Sequence, residues 1–359
     1  MQQGGDMSEL VPAARPVVIR PAEPAPAGYT DADFTISAAA AERLLAAPAE
    51  NTLLAHGYDW GNFTTWCEQH GRVALPATAQ TLLDYVTWMM EKPKPAAPAS
   101  IDRAMGSIRA IHAERGYEDQ PGIKPSRRVL RAYRRQWVKA GNRVRKAPPV
   151  MIDALRAMVD TCDPATPIGV RDRALLLLGF ALMARRSELA ALDIADIRPG
   201  QEGLDVTIRQ SKTDQEAKGQ EVPVLNGQHP ETCPVRATQA WIALLADRGI
   251  TSGALFRPVD RHGRIGNEPK AAGKGGDRLT GHSVAEIIRR RALAAGLENA
   301  SKYKGHSLRS GGASAAYATG APVSGIAGHG RWAENSPVVL GYVRAVDKWK
   351  NHPMRGVGL

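Results

Sequence analysis

The segment Arg171–Ala184, with its run Ala-Leu-Leu-Leu-Leu-Gly-Phe-Ala-Leu-Met, constrains this chain more than any other. A helix over it is apolar on every side, so other elements have to wrap it. The run falls short of the roughly 18 residues that would read as a membrane span, and no other stretch reaches that length. It therefore predicts the central buried helix of a globular domain. The run ends on Arg185-Arg186-Ser187-Glu188-Leu189. A guanidinium at a core edge is costly without an anion, and Glu188 stands one helical turn from Arg185. Taken alone, this Arg–Glu pair reads equally as a structural ion pair or as part of an anion site.

Around that helix the chain divides by composition. Residues 1–30 are Pro- and Ala-rich without periodicity, which predicts a disordered tail. Residues 31–145 show helical patterns at Ser37–Ala47, Glu50–His70, Thr78–Glu91, Ser100–Arg115 and Ser126–Ala140, with Ser37 as an N-cap and prolines closing the third. Residues 146–150, Lys-Ala-Pro-Pro-Val, read as a linker. Residues 151–359 form a second domain. In it Leu204–Arg209 alternates like a strand and Glu221–Leu225 like its partner, with the polar stretch 210–220 as the hairpin loop. Helices return at Pro234–Arg248 and Ser283–Ala295. The predicted fold class is mainly α with one small antiparallel sheet.

Charge points to a partner. Lys and Arg number 47 against 36 acids, a net charge of +11, which favours a polyanion and nucleic acid first. Six basic residues, Arg127, Arg128, Arg131, Arg134, Arg135 and Lys139, fall within 13 positions that contain no acid. Arg103 and Arg109 flank the apolar face of the preceding helix, and Arg289 and Arg290 form a second basic group. These are the candidate DNA contacts. The three cysteines, Cys67, Cys162 and Cys233, are too far apart for a disulfide framework or a CxxC metal site. They fit a reducing compartment. The N-terminus lacks the basic-then-apolar pattern of a secretory signal. No metal or cofactor site is expected.

Two more motifs carry chemistry. Gly305-His-Ser-Leu-Arg-Ser-Gly-Gly312 sets an imidazole and a guanidinium three positions apart, on one helical face, beside glycines that admit a close backbone. That pair suits an oxyanion, with one group managing protons and the other charge. The third motif is His329-Gly-Arg-Trp332 followed by Gly341-Tyr342. Singly, each motif also reads as ordinary structure.

In this order and spacing, over roughly residues 35–347, the motifs resemble the tyrosine recombinase (lambda-integrase-like) family and its Cre-like members. Arg185-Arg-Ser-Glu-Leu189 resembles the first arginine box, His306-Ser-Leu-Arg309 the His-x-x-Arg box, and Ser211-Lys-Thr213 the segment with the catalytic lysine. Tyr342, 33 positions after Arg309, stands where the nucleophile belongs. The resemblance implies a helical core-binding domain and a catalytic domain closing as a C-shaped clamp on double-stranded DNA. It implies a homotetramer on two recognition sites, without metal, and a cytoplasmic, nucleoid-associated protein. Tyr342 would form a 3′-phosphotyrosyl bond, Arg185 and Arg309 would clamp the phosphate, and Lys212 would protonate the leaving 5′-oxygen. His306 would assist proton transfer, Glu188 would orient Arg185 and His306, and Trp332 would pack near the nucleophile.

Three features depart from the family pattern. Trp332 and Tyr342 are ten positions apart, one more than usual, and His329 is a rival for the Trp332 role. Arg186 fills a usually aliphatic position, and register with Ser-Glu-Leu makes Arg185 the catalytic one. Only 17 residues follow Tyr342, which puts a family-type tail contact between subunits in doubt. The rival activities are a type IB topoisomerase-like enzyme, a telomere resolvase, and a catalytically silent DNA-binding protein.

Overall fold

The computed structural model describes residues 30, 37–46, 50–143, 147–209, 219–266, 276–333, 336–342, 354 and 357. The residues read as a disordered tail lie outside these, except Thr30. Contacts divide the chain into two compact units, Met1–Val144 and Arg145–Leu359.

The first unit is helical: α1 (Ala38–Ala46), α2 (Glu50–Gln69), α3 (Ala79–Glu91), α4 (Pro98–Glu114) and α5 (Lys124–Lys139). Local signals set the starts. Ser37 Oγ accepts the Ala40 N–H, Thr78 Oγ1 accepts the Thr81 N–H, and Pro98 opens α4 where no N–H is needed. Helix α2 packs on α4 and α3 on α5. Their apolar faces meet in a core of Phe63, Trp66, Leu82, Tyr85, Val86, Ile101, Ile108 and Leu130.

Buried His112 links α4 to the turn before α3. Its Nδ1 lies 2.7 Å from the Ile108 carbonyl and its Nε2 2.9 Å from the Ala77 N–H. An Nε2 that accepts needs a neutral ring, and desolvation holds the His112 pKa below the ordinary imidazole value. The unfolded state therefore binds the proton first, and stability falls as pH drops below about 6.5 towards the lower folded value. Protection of the Ala77 amide against hydrogen exchange, corrected for intrinsic rate, is expected to decline there. Constant protection down to pH 5 would contradict this assignment.

The second unit contains α6 (Ile152–Asp160), α7 (Pro167–Ala181), α8 (Arg186–Ala191), strands β1 (Ile197–Gly200), β2 (Gly203–Ile208) and β3 (Gln220–Leu225), then α9 (Pro234–Asp247), α10 (Gly281–Ala294), α11 (Gly305–Ala318) and α12 (Val323–His329). Residues 337–342 are again helical. The sheet is antiparallel in the order β1-β2-β3, with Val206 opposite both Ile197 and Val222. Leu204, Val206 and Ile208 point into the core, as the alternation predicts. The predicted pair of strands gains a third, β1. Its Ile-Arg-Pro-Gly carries no alternation and becomes a strand through its pairing with β2.

Helix α7 is the hub anticipated from its composition, with Ala174 and Leu175–Leu178 buried against α9, α6 and α11. Glycines let backbones approach it. A β-carbon on Gly312 would stand 2.5 Å from the Phe180 carbonyl oxygen, and one on Gly311 2.0 Å from that of Val150. Val150 is fully buried, and its N–H donates to the Ser307 carbonyl at 2.9 Å. At the other end of α7, the buried Asp172 carboxylate accepts from Arg171, Arg290 and Arg291, which ties α10 to α7.

Candidate active site

The three motifs around Arg185, Arg309 and Tyr342 meet at the end of α7. The chain leaves that helix through Met183, whose backbone is left-handed at φ +46°. The turn aims the Met183 carbonyl at α11, where Arg309 Nη1 donates to it at 2.6 Å. Arg185 then caps α8. Its N–H donates to Glu188 Oε2 at 2.9 Å and its Nη1 to Oε1 at 2.5 Å. Glu188 is almost wholly buried. Burial pushes its pKa up, but Arg331 and then Arg185 oppose this and hold it below the ordinary carboxylate value.

Arg309 is 1% exposed. Its guanidinium lies 3.7 Å from the centre of the Trp332 ring, and its Nη2 is buried with no hydrogen-bond partner. Desolvation, then the nearby Arg185 charge, pushes the Arg309 pKa down to about 9. A buried donor without an acceptor is costly and marks a place where a ligand atom belongs. Tyr342 sits beside this group, edge-on to Trp332 with ring centres 5.9 Å apart. Its hydroxyl hydrogen-bonds His306 Nε2. Desolvation raises the Tyr342 pKa against the opposing pull of Arg309 and Arg185. The same effects, desolvation first and then these two cations, lower that of His306. The lowered pKa favours a neutral His306 ring, whose Nε2 shares a proton with the Tyr342 hydroxyl.

Arg185, Glu188, His306, Arg309, Trp332 and Tyr342 therefore form one cluster. Lys212 lies outside the described residues. One expected contact is replaced: Glu188 was anticipated to orient Arg185 and His306, but its second cationic partner is Arg331, at 2.9 Å. The reason is geometric, since the turn after α12 brings Arg331 against the carboxylate first. His329, the rival to Trp332, has its Nε2 2.7 Å from the Ala181 carbonyl and holds α12 against α7. Arg331 was missed as a site residue. The signal available was its place in Gly-Arg-Trp between apolar Ile326-Ala327 and the tryptophan. Arg186 is exposed, with its stem laid over Gly281 and Gly305.

The candidate DNA contacts fall into two groups. On α5, Arg127, Arg128, Arg131, Arg134, Arg135 and Lys139 are all exposed, while only Ser126 and Leu130 are buried. Arg134 also reaches Asp102 at 2.7 Å. The others are engaged within the fold. Arg103 makes a two-pronged contact to the buried Asp59 at 3.0 and 2.8 Å, and Arg109 Nη2 contacts the Glu118 carbonyl at 3.4 Å. Arg290 donates to Asp172 at 2.8 Å, and Arg289 pairs with Glu286.

Known proteins resemble this chain over most of its length. The family described as the phage integrase family matches residues 151–348. An integrase/recombinase XerD homologue of Selenomonas ruminantium is 31% identical over 284 residues, 78% of each chain. The recombinase Cre of Escherichia phage P1 is 23% identical over 293 residues, 80% of this chain and 81% of that one. Among solved structures, a lambda integrase fragment in a dimer bound to a core site aligns with a TM-score of 0.52 at 14% identity, covering 84% of this chain and 92% of that one. This last likeness speaks for the fold.

Proposed function

Because this chain belongs to the phage integrase family of tyrosine site-specific recombinases, we propose that the cluster around Glu188 is the centre at which it cuts and rejoins DNA, with Tyr342 as nucleophile. The Tyr342 oxygen attacks the scissile phosphorus as its proton passes to His306 Nε2. The bond from phosphorus to the 5′-oxygen breaks, and that oxygen takes a proton from Lys212. The product is a 3′-phosphotyrosyl bond and a free 5′-hydroxyl. Attack by a 5′-hydroxyl from another strand reverses the step and releases Tyr342, so the bond energy is kept. Arg185 and Arg309 hold the two non-bridging oxygens, whose charge is greatest in the transition state. The observation that carries this reading is the Tyr342–His306 hydrogen bond beside the buried, unpartnered Arg309 Nη2.

The substrate is duplex DNA with a recognised site. Exchange between two duplexes cuts four strands, and each copy supplies one Tyr342, so the working assembly is a homotetramer on two sites. The exposed basic face of α5 supplies phosphate contacts, which give affinity rather than sequence information. Arg103 and Arg290, already engaged with Asp59 and Asp172, contribute less. Among the described residues no helix is long and apolar enough to cross a membrane. A DNA substrate puts the protein at the nucleoid, in the cytoplasm.

The test is covalent trapping. Wild type and Tyr342→Phe are incubated with sheared genomic DNA from the source organism and denatured in SDS, and the DNA still attached to protein is sequenced. Adducts are expected from wild type alone, mapping to one inverted-repeat site. Scattered adducts would favour a topoisomerase-like enzyme. Normal DNA binding with no adduct would mean an accessory protein.

A further inference from the structure

Arg331 is a buried charge held in an uncommon backbone conformation. It is 4% exposed, and its backbone is left-handed at φ +58°, where side chains other than Gly and Asn are uncommon. Its guanidinium reaches three acceptors on separate segments. Nη2 donates to Glu188 Oε2 at 2.9 Å and to the Leu182 carbonyl at 3.0 Å, and Nη1 donates to the His329 carbonyl at 2.8 Å. Its own carbonyl accepts from Arg185 Nη2 at 3.2 Å. On one side Gly330 leaves room for the Trp332 ring, since a β-carbon there would stand 1.8 Å from it. On the other, Trp332 lies against Arg309 and Tyr342.

One residue thus touches both halves of the cleavage centre: Arg185 with its carboxylate, and the turn that carries Trp332. We propose that Arg331 is a positioning residue for strand cleavage, clamping the Trp332 turn to Glu188 and fixing the orientation in which Arg185 meets the phosphate. This inference rests on the reading of the cluster as the cleavage centre. Arg331 is buried beneath Arg185 and so acts through it. A guanidinium is required because the acceptors diverge, and a lysine ammonium at the end of a single stem cannot reach all three in the same fork. The arrangement also shares Glu188 between two cations. Without the Arg331 guanidinium the carboxylate has Arg185 as its one close cationic partner, and the turn whose carbonyl accepts from Arg185 Nη2 is no longer tied to Glu188.

Arg331→Gly is the informative variant, because glycine adopts φ +58° freely and the turn keeps its path while the guanidinium is lost. On the duplex fragment that wild type captures, Arg331→Gly is expected to form covalent adduct about 100-fold more slowly, the scale of a small misplacement of catalytic groups. Its affinity for the same fragment, measured with uncleaved duplex, is expected to stay within a few-fold of wild type. Arg331→Lys should remain slow. In a double-mutant cycle, Glu188→Gln with Arg331→Gly should be no slower than the worse single variant, because both act through one contact. Arg331→Gly cleaving at the wild-type rate would overturn the proposal. So would fully additive effects in the cycle, or losses of affinity that match the losses of rate in both Arg331 variants. Wild type forming no adduct would remove the underlying reading as well, so the two failures are distinct.

Discussion

Replacing Arg309 with alanine is expected to slow covalent adduct formation by about two to three orders of magnitude, the usual loss when a preorganised donor to a developing oxyanion is removed. Arg309 is buried, anchored by Nη1 to the Met183 carbonyl and stacked on Trp332. That leaves Nη2 buried, with no acceptor in the protein. Desolvation and then the neighbouring Arg185 depress its pKa to about 9 against the opposing pull of Glu188, so an incoming anion adds to the stabilisation of its charge. A phosphodiester supplies that anion, and the added charge of the transition state strengthens the contact further. Arg309→Lys is expected to recover little. It keeps a positive charge but loses the planar fork that bonds Met183 and the phosphate together. Single-turnover adduct formation on the captured duplex is the measurement, with DNA affinity alongside. An alanine variant cleaving within a few-fold of wild type would remove Arg309 from the phosphate clamp.

The second large effect concerns stability. Asp172→Ala is expected to destabilise the second unit by about 3–5 kcal/mol, the range for removing one partner from a buried ionic network. Asp172 is fully buried. Its Oδ1 accepts from Arg171 Nε and Nη2 at 3.0 and 2.6 Å, and its Oδ2 from Arg290 and Arg291, each at 2.8 Å. Without the carboxylate, Arg171 stays buried on α7 with only the Arg257 carbonyl, at 3.1 Å. The first turn of α10 meets the stem of Arg186 through Gly281. Loosening α10 therefore also disturbs the surroundings of Arg185. The urea midpoint of the second unit's transition, in the full chain, gives the change. A loss below about 1 kcal/mol would mean that water reaches and solvates the three guanidiniums, as at an exposed pair.

Both predictions concern residues whose type was readable in the sequence and whose partners were not. The helices of the first unit and the longer ones of the second were legible because their signals are local, apolar spacing and the Ser37 cap among them, whereas Pro98, read as closing the third helix, opens α4, and α12 was not named. The buried hub α7 was legible because no surface helix tolerates an apolar residue on every side. The catalytic candidates Arg185, His306, Arg309 and Tyr342 were named through a resemblance to tyrosine recombinases in motif order and spacing, and the fold brings them together with Glu188 and Trp332, while Lys212 lies outside the described residues. Strand β1 was not legible, since its four residues extend only because β2 offers hydrogen bonds.

The fate of each arginine was decided by the tertiary structure. From the sequence, Arg103 and Arg290 were candidate DNA contacts in addition to the basic run Arg127–Lys139. Folding pairs Arg103 with a carboxylate 44 positions away and Arg290 with one 118 positions away, while on α5 the basic residues are exposed and Arg134 pairs with Asp102. Arg331 carried no reading of its own in the sequence, and the turn after α12 buries it against Glu188, 143 positions earlier. Helix periodicity and capping act over a few neighbouring residues, so the sequence by itself determined them. Whether a charge is held within the protein or left for a ligand depends on which distant carboxylate or carbonyl packing delivers, and on how much water that packing removes.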